Sequence, residues 1–187
     1  MITCILLAAG SASRFGSQKL LARLADGRRV IESSTANLVA ADIGKIVAVT
    51  RRDQNLIDVL ETCGCDVVIN EAAGEGMGTS IATGVSATPE SSGWLIALGD
   101  MPSIRADTIV AIAHALRTGA GIAVPAMRGK RGHPVGFSAS YRERLQALAG
   151  DTGAREILKS DAQFIEEIDV DDAGIFADID TPADLKL

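Results

Sequence analysis

The hydrophobic positions of this chain follow two rhythms that take turns. Short apolar runs rich in branched side chains occur at Ile2 to Ala8, Ile46 to Thr50, Val67 to Ile69, Trp94 to Leu98 and Gly121 to Val124. Between them, apolar residues recur at helical spacing over Val30 to Ala41, Leu56 to Cys63, Met77 to Ala87 and Ile109 to Leu116. A short apolar run bounded by turn residues reads as a strand buried on both faces, and helical spacing reads as the layer that covers it. Their alternation predicts an α/β chain with a mostly parallel sheet and helices on both faces. Val135 to Ser138 and Gln163 to Val170 read as later strands, and Tyr141 to Leu148 as a helix. Asp26-Gly27 reads as a tight turn ahead of the first long helix.

The rhythm breaks after Val124. Pro125 to Pro134 forms a long polar stretch that no core requires, and long irregular loops in compact chains often carry function. Composition narrows the classes further. At 187 residues the chain suits one domain, 1–187, with a sizeable core, and almost half of it is hydrophobic, which disfavours disorder. A net charge of −6 argues against broad nucleic-acid binding, which needs a basic field to displace counterions. No stretch is long enough to span a bilayer, and the apolar start lacks the cationic flank and cleavage site of a signal peptide. Cys4, Cys63 and Cys65 have no metal-knuckle spacing and read as reduced thiols of a cytoplasmic protein.

Candidate chemistry gathers where strands end, the place at which open α/β sheets bind ligands. The first strand empties into Gly10-Ser11-Ala12-Ser13-Arg14-Phe15-Gly16-Ser17-Gln18-Lys19. Small residues leave backbone N–H groups unshielded, which makes a concave anion site, and Arg14 and Lys19 add full charges at its rim. The spacing fits neither a Walker A loop nor a dinucleotide fingerprint. An ordinary strand-to-helix connection with surface cations would read the same way. The run Trp94 to Leu98 delivers Gly99-Asp100-Met101-Pro102, where Asp100 is either a hard oxygen ligand for magnesium or a turn and cap residue. Asp178 and Asp180 share a face if the C-terminal segment is extended. Asp180 or Thr181 would equally cap a helix begun by Pro182. Asn70 to Ile81 places Gly74, Gly76 and Gly78 with Thr79 and Ser80 at a helix start, suited to a base edge or sugar, or to helix capping. Arg128, Lys130, Arg131 and His133 gather potential cations for a second anionic ligand, and Gly150 to Arg155 is a further glycine-rich helix start. His114 falls in an apolar helical pattern. With no serine, histidine and acid grouping for a covalent nucleophile, charge stabilisation and in-line alignment are the chemistry these residues suit.

Taken in order, these motifs resemble the MobA-like nucleotidyltransferases, and more closely the branch that makes the cytosine dinucleotide form of molybdopterin. The resemblance rests on Leu7-Ala8-Ala9-Gly10 through Arg14, Gly16 and Lys19-Leu20-Leu21. To these it adds Gly76-Met77 with Ser80, Gly99-Asp100-Met101-Pro102, and Arg131-Gly132-His133-Pro134-Val135. Gly150-Asp151 with Gly153-Ala154-Arg155, and Asp178 to Pro182, complete it. It implies a three-layer Rossmann-like nucleotidyltransferase fold with a mostly parallel central sheet. It implies an NTP, CTP by the alanine at position 9, bound through Leu7, Ala8, Ala9, Gly10, Arg14, Lys19, Gly76, Met77, Ser80 and Gly99. Magnesium would sit on Asp100 with Asp180 or Asp178, and Arg14, Lys19 and Asp100 would carry catalysis. Arg131, Gly132, His133, Asp151 and Arg155 would meet a molybdopterin-type phosphorylated acceptor, and a molybdoenzyme is a possible partner. A different phosphorylated acceptor, such as a sugar phosphate, and a non-catalytic maturation factor are the rival expectations. Phe15 stands where the family usually has methionine, and Ala72-Ala73 where it often has proline and tryptophan.

Overall fold

The computed structural model describes residues 1–10, 15 and 18–186. The six central elements of the first half are β1 (Ile2–Leu7), α1 (Val30–Ala41), β2 (Ile46–Thr50), α2 (Gln54–Thr62), β3 (Asp66–Ile69) and α3 (Met77–Ser86). There follow β4 (Gly93–Leu98), α4 (Ala106–Arg117), β5 (Ile122–Met127), β6 (Lys130–Arg131), β7 (Val135–Ser138), α5 (Arg142–Gln146), α6 (Arg155–Ser160) and β8 (Ile165–Asp169). Among the described residues they build one eight-stranded sheet in the order β3-β2-β1-β4-β7-β5, with both β6 and β8 on β5. The β1–β2, β1–β4, β2–β3 and β5–β8 pairs are parallel, whereas β7 runs antiparallel between β4 and β5.

The period-two alternation of β1 explains the layers. Ile2, Cys4 and Leu6 pack into a core under α1, α2 and α4 with Ile31, Leu38, Leu60 and Ile112. Ile5 faces the opposite core, with Ile81 and Val85 of α3, Leu145 of α5 and Ile157 of α6. Both faces of the strand are thus buried, which is why its sequence is apolar but for Thr3, whose hydroxyl is paired with that of Ser91. Gly84 of α3 lets the helix lie directly on the sheet: a Cβ there would stand 2.6 Å from Ile5 Cγ2.

The Pro125 to Pro134 stretch is a hairpin rather than an irregular loop. β5 continues through Pro125 to Met127, turns on Arg128 and Gly129, both at positive φ, and returns as β6. Pro125 is tolerated because neither β7 nor β6 pairs at that position. α6 and the short 3-10 turns are the other elements that periodicity does not announce. Among the described residues no helix is long and apolar enough to cross a membrane.

Candidate active site

The order 3-2-1-4 reverses direction between β1 and its two neighbours, and the C-terminal ends of those strands open a crevice there. Four segments feed it: Leu7 to Gly10 after β1, Arg51 and Arg52 after β2, Asn70 after β3, and Gly99-Asp100 after β4. Two connected hollows result. One, of about 440 Å3, lies beside Gly10, Gln18, Lys19, Leu20, Arg51, Asp53 and Asp100. The other, of about 560 Å3, is lined by Ala9, Asn70, Gly76, Met77, Ser80, Leu98 and Asp151, and shares Leu7, Gly10, Arg51, Arg52 and Asp100 with the first. Of the triphosphate-loop residues singled out in the sequence, Arg14 and Gly16 lie outside the described residues.

Asp100 is held by its backbone, leaving its carboxylate available. Ser34 Oγ of α1 donates to Gly99 O at 2.9 Å, Asn37 Nδ2 donates to Pro102 O at 2.8 Å, and Ile179 N–H donates to Asp100 O at 2.9 Å. Gly99 is required at the approach to β1, because a Cβ would meet Leu7 O and Ile31 Cδ1 at 3.0 Å. α4 begins only at Ala106, and its first turn is served by Asp172, which accepts from Arg105 N–H and the Thr108 hydroxyl. Asp100 therefore does not cap a helix.

Lys19, in a 3-10 turn over Lys19–Leu21, reaches across the crevice to that carboxylate. Its Nζ lies 2.6 Å from Asp100 Oδ2 and 3.7 Å from Asp180 Oδ1, with the lysine side chain only 15 % exposed. Asp180 is free for this contact because Asp184 does the capping: its carboxylate accepts from the N–H groups of Asp180 and Thr181 and from the Thr181 hydroxyl. Asp178, on the other side of the buried Ile179 in sequence, acts electrostatically on His133.

The cleft wall is equally specified. Gly76 has φ +116°, and a Cβ on it would stand 2.3 Å from Gly150 C and 2.5 Å from Asp151 Oδ1. Gly78 N–H donates to Gly150 O at 2.8 Å. The Gly150-Asp151 turn thus docks on the start of α3 and carries Asp151 into the larger hollow beside Ser80, away from Arg131 and His133. Neither Thr79 nor Ser80 caps α3; Thr79 donates back to Gly76 O at 2.8 Å.

Arg131, Gly132 and His133 line a separate pocket of about 170 Å3, with Val124, Val135, Leu158 and Ile165. It is less cationic than its sequence promises. Arg131 pairs with Glu167 at 2.7 Å, and Lys130 lies over the Phe176 ring at 4.6 Å. Burial holds the His133 imidazole below its usual pKa against the opposing pull of Asp100 and Asp178, so it is neutral near pH 7. Its buried Nδ1 has no hydrogen-bond partner among the described residues. Arg155 is exposed at the start of α6 and lines neither hollow.

Arg51 and Arg52 are the site residues that motif reading missed. Arg51 Nη2 donates to Gly10 O at 2.5 Å, and Arg52 pairs with Glu71 on the far rim. Their position directly after a buried strand was the available signal.

A doubly wound sheet with a glycine turn, a lysine and carboxylates at its strand ends is the layout of a nucleotide-handling α/β protein. Residues 4–166 match the MobA-like NTP transferase domain, and the chain belongs to that nucleotidyltransferase family. It is similar to the purine catabolism protein PucB of Bacillus subtilis (strain 168), 27 % identical over 98 % of this chain and 93 % of that one. It is also similar to nicotine blue oxidoreductase of Paenarthrobacter nicotinovorans, 26 % identical over 96 % and 92 %. Among solved structures, Rv0371c from Mycobacterium tuberculosis H37Rv superposes with a TM-score of 0.82 at 25 % identity, covering 98 % of this chain and 94 % of that one.

Proposed function

We propose that the protein is a cytidylyltransferase that moves CMP from CTP to the terminal phosphate of molybdopterin. The observation that carries the reading is the convergence of Asp100 and Asp180 on one Lys19 nitrogen in the crevice that Gly10 lines. In the reaction an acceptor phosphate oxygen attacks the α-phosphorus of CTP, and the bond to the β-phosphate breaks to release pyrophosphate. Lys19 would follow the negative charge onto the leaving pyrophosphate, a task suited to a flexible ammonium. Arg51, which donates to Gly10 O, would hold that residue in place beneath the triphosphate. Ala9, 5 % exposed in the larger hollow, is the residue that favours cytosine by family resemblance.

The residues present fit a magnesium ion. Two hard carboxylates, Asp100 and Asp180, lie in one another's vicinity around the Lys19 nitrogen, at 2.6 and 3.7 Å from it, and oxygen donors of this kind suit magnesium. Asp100 and Asp180 would hold the ion, which supplies neutralisation of the triphosphate. Arg131 and the neutral His133 would meet the acceptor, and a molybdoenzyme would receive the product.

Incubation with magnesium, each nucleoside triphosphate and molybdopterin, followed by product identification, tests the reading. The expected product is the cytosine dinucleotide of molybdopterin with one pyrophosphate per turnover. Equal turnover with GTP defeats the base assignment. Pyrophosphate release that responds only to a sugar phosphate defeats the acceptor, and tight CTP binding without turnover under any acceptor defeats transfer itself.

A further inference from the structure

Asn70, the residue after β3, is 4 % exposed and engaged at every polar atom. Its N–H donates to Thr50 O at 2.7 Å, and its Oδ1 accepts from Ala72 N–H at 3.0 Å. The carbonyl end of the amide is thereby fixed against the loop backbone. The NH2 end then points the other way, to Thr79 Oγ1 at 2.9 Å and Ser80 Oγ at 3.0 Å. Thr79 passes its own proton on to backbone carbonyls at Gly76 and Ala72. Ser80 receives the amide hydrogen and, among the described residues, finds no acceptor for its hydroxyl proton. Ser80 is 4 % exposed and lines the hollow of about 560 Å3. A buried hydroxyl whose lone pair is taken from behind offers its proton forward.

Building on the nucleotide cleft proposed above, we propose that Asn70 is a positioning residue that fixes the Ser80 hydroxyl as a donor toward the nucleobase. A ring nitrogen without hydrogen accepts that proton, and a ring N–H opposes it. Cytosine and uracil share shape but differ in this respect at N3, so the device favours CTP over UTP.

Asn70→Asp reverses the polarity while keeping the loop. Its carboxylate still accepts from Ala72 N–H, but it also draws in the Ser80 proton and turns the hydroxyl's lone pairs toward the cleft. Calorimetric binding of magnesium-CTP and magnesium-UTP, with no acceptor present, is measured on wild type, N70D, S80A and the double variant. CTP affinity is expected to fall about tenfold in N70D while UTP affinity changes less, and N70D is expected to have no further effect once Ser80 is alanine. Equal losses for both nucleotides, or an N70D effect that persists in the S80A background, overturn the proposal. If N70D does not fold, S80A alone must still cut CTP more than UTP, or the proposal fails. A wild-type chain that binds neither nucleotide overturns the cleft reading and this inference with it, whereas binding with a normal N70D profile overturns the inference alone.

Discussion

The charges at the crevice divide into those already engaged with one another and those bonded to backbone. Lys19, Asp100 and Asp180 form one ion cluster at the C-terminal edge of β1 and β4, two carboxylates about one ammonium. Replacing Lys19 with methionine keeps the stem and removes the charge. Pyrophosphate release should fall about 100-fold or more while the thermal midpoint changes little, as acceptor-dependent assays and thermal unfolding would read. Arg51 acts on Gly10 instead. Its guanidinium donates to the exposed Gly10 carbonyl, so Arg51→Ala should raise KM for the triphosphate about tenfold and leave kcat nearly intact; an equal fall in kcat would contradict a binding role. The two cases also show what one-dimensional reading can see. Lys19 and Asp100 stand out because a small-residue loop and a strand-end carboxylate are unusual local patterns. Arg51 does not, because a cation after a strand looks solvated until the fold brings Gly10 alongside it.

At the scale of elements, the segment from Asp171 to Asp180 is a strap that crosses the strand ends and delivers Asp180. Buried Asp172 ties it to α4 through Arg105 N–H and Thr108, while Ile175 O accepts from His133 N–H and Ile179 N–H reaches Asp100 O. Gly174 lies against the Ser103 carbonyl, where a Cβ would stand 2.1 Å away. Gly174→Ala must push the strap outward, so we expect a loss on the order of 2 kcal/mol in stability together with a disproportionate loss of turnover, measured by denaturant titration and pyrophosphate release. A second joint ties α5 to α6. Asp161 accepts from Arg144, Ser160 and the Tyr141 hydroxyl, and these bonds hold its carboxyl at about 2. Because the folded value lies below the ordinary carboxylate value, its stabilisation is present above the ordinary value and lost as pH falls toward 2. The stability gap between wild type and Asp161→Asn should therefore be open near about pH 5 and close toward about pH 2, a crossover that thermal melts can follow. Neither joint was legible in the sequence. The strap has no periodicity, α6 is six residues long, and Pro125 disguises a strand that continues to Met127.

For the whole molecule, the hydrophobic pattern carried the succession of the main strands and helices, because strands buried on both faces leave little choice of which residues are apolar. The runs at Ile46 to Thr50 and Val135 to Ser138 and the helix at Val30 to Ala41 coincide with β2, β7 and α1. Strand order was beyond reach, since it depends on which helices cover which face, and so was the pairing of Arg131 with Glu167 across strands β6 and β8. The same burial makes the three thiols a probe of the entire fold. Cys4 sits on β1 in the middle of the sheet with no exposed surface, and burial drives its thiol pKa far upward. Cys65, 6 % exposed ahead of β3 in the same core, is pushed up to about 12, again chiefly by burial. Cys63 at the end of α2 is half-buried and less affected. Thiolate is the reactive species, and neither buried cysteine can present it without opening the core that β1 and α1 share. A colourimetric thiol reagent at about pH 8 should accordingly titrate Cys63 first in native protein. Cys4 and Cys65 should follow only at the rate of global opening, and all three at once in denaturant. Early reaction of Cys4 would mean that the sheet opens at β1, the strand that leads to Gly10, and a saturating nucleotide should then slow that reaction in proportion to its occupancy.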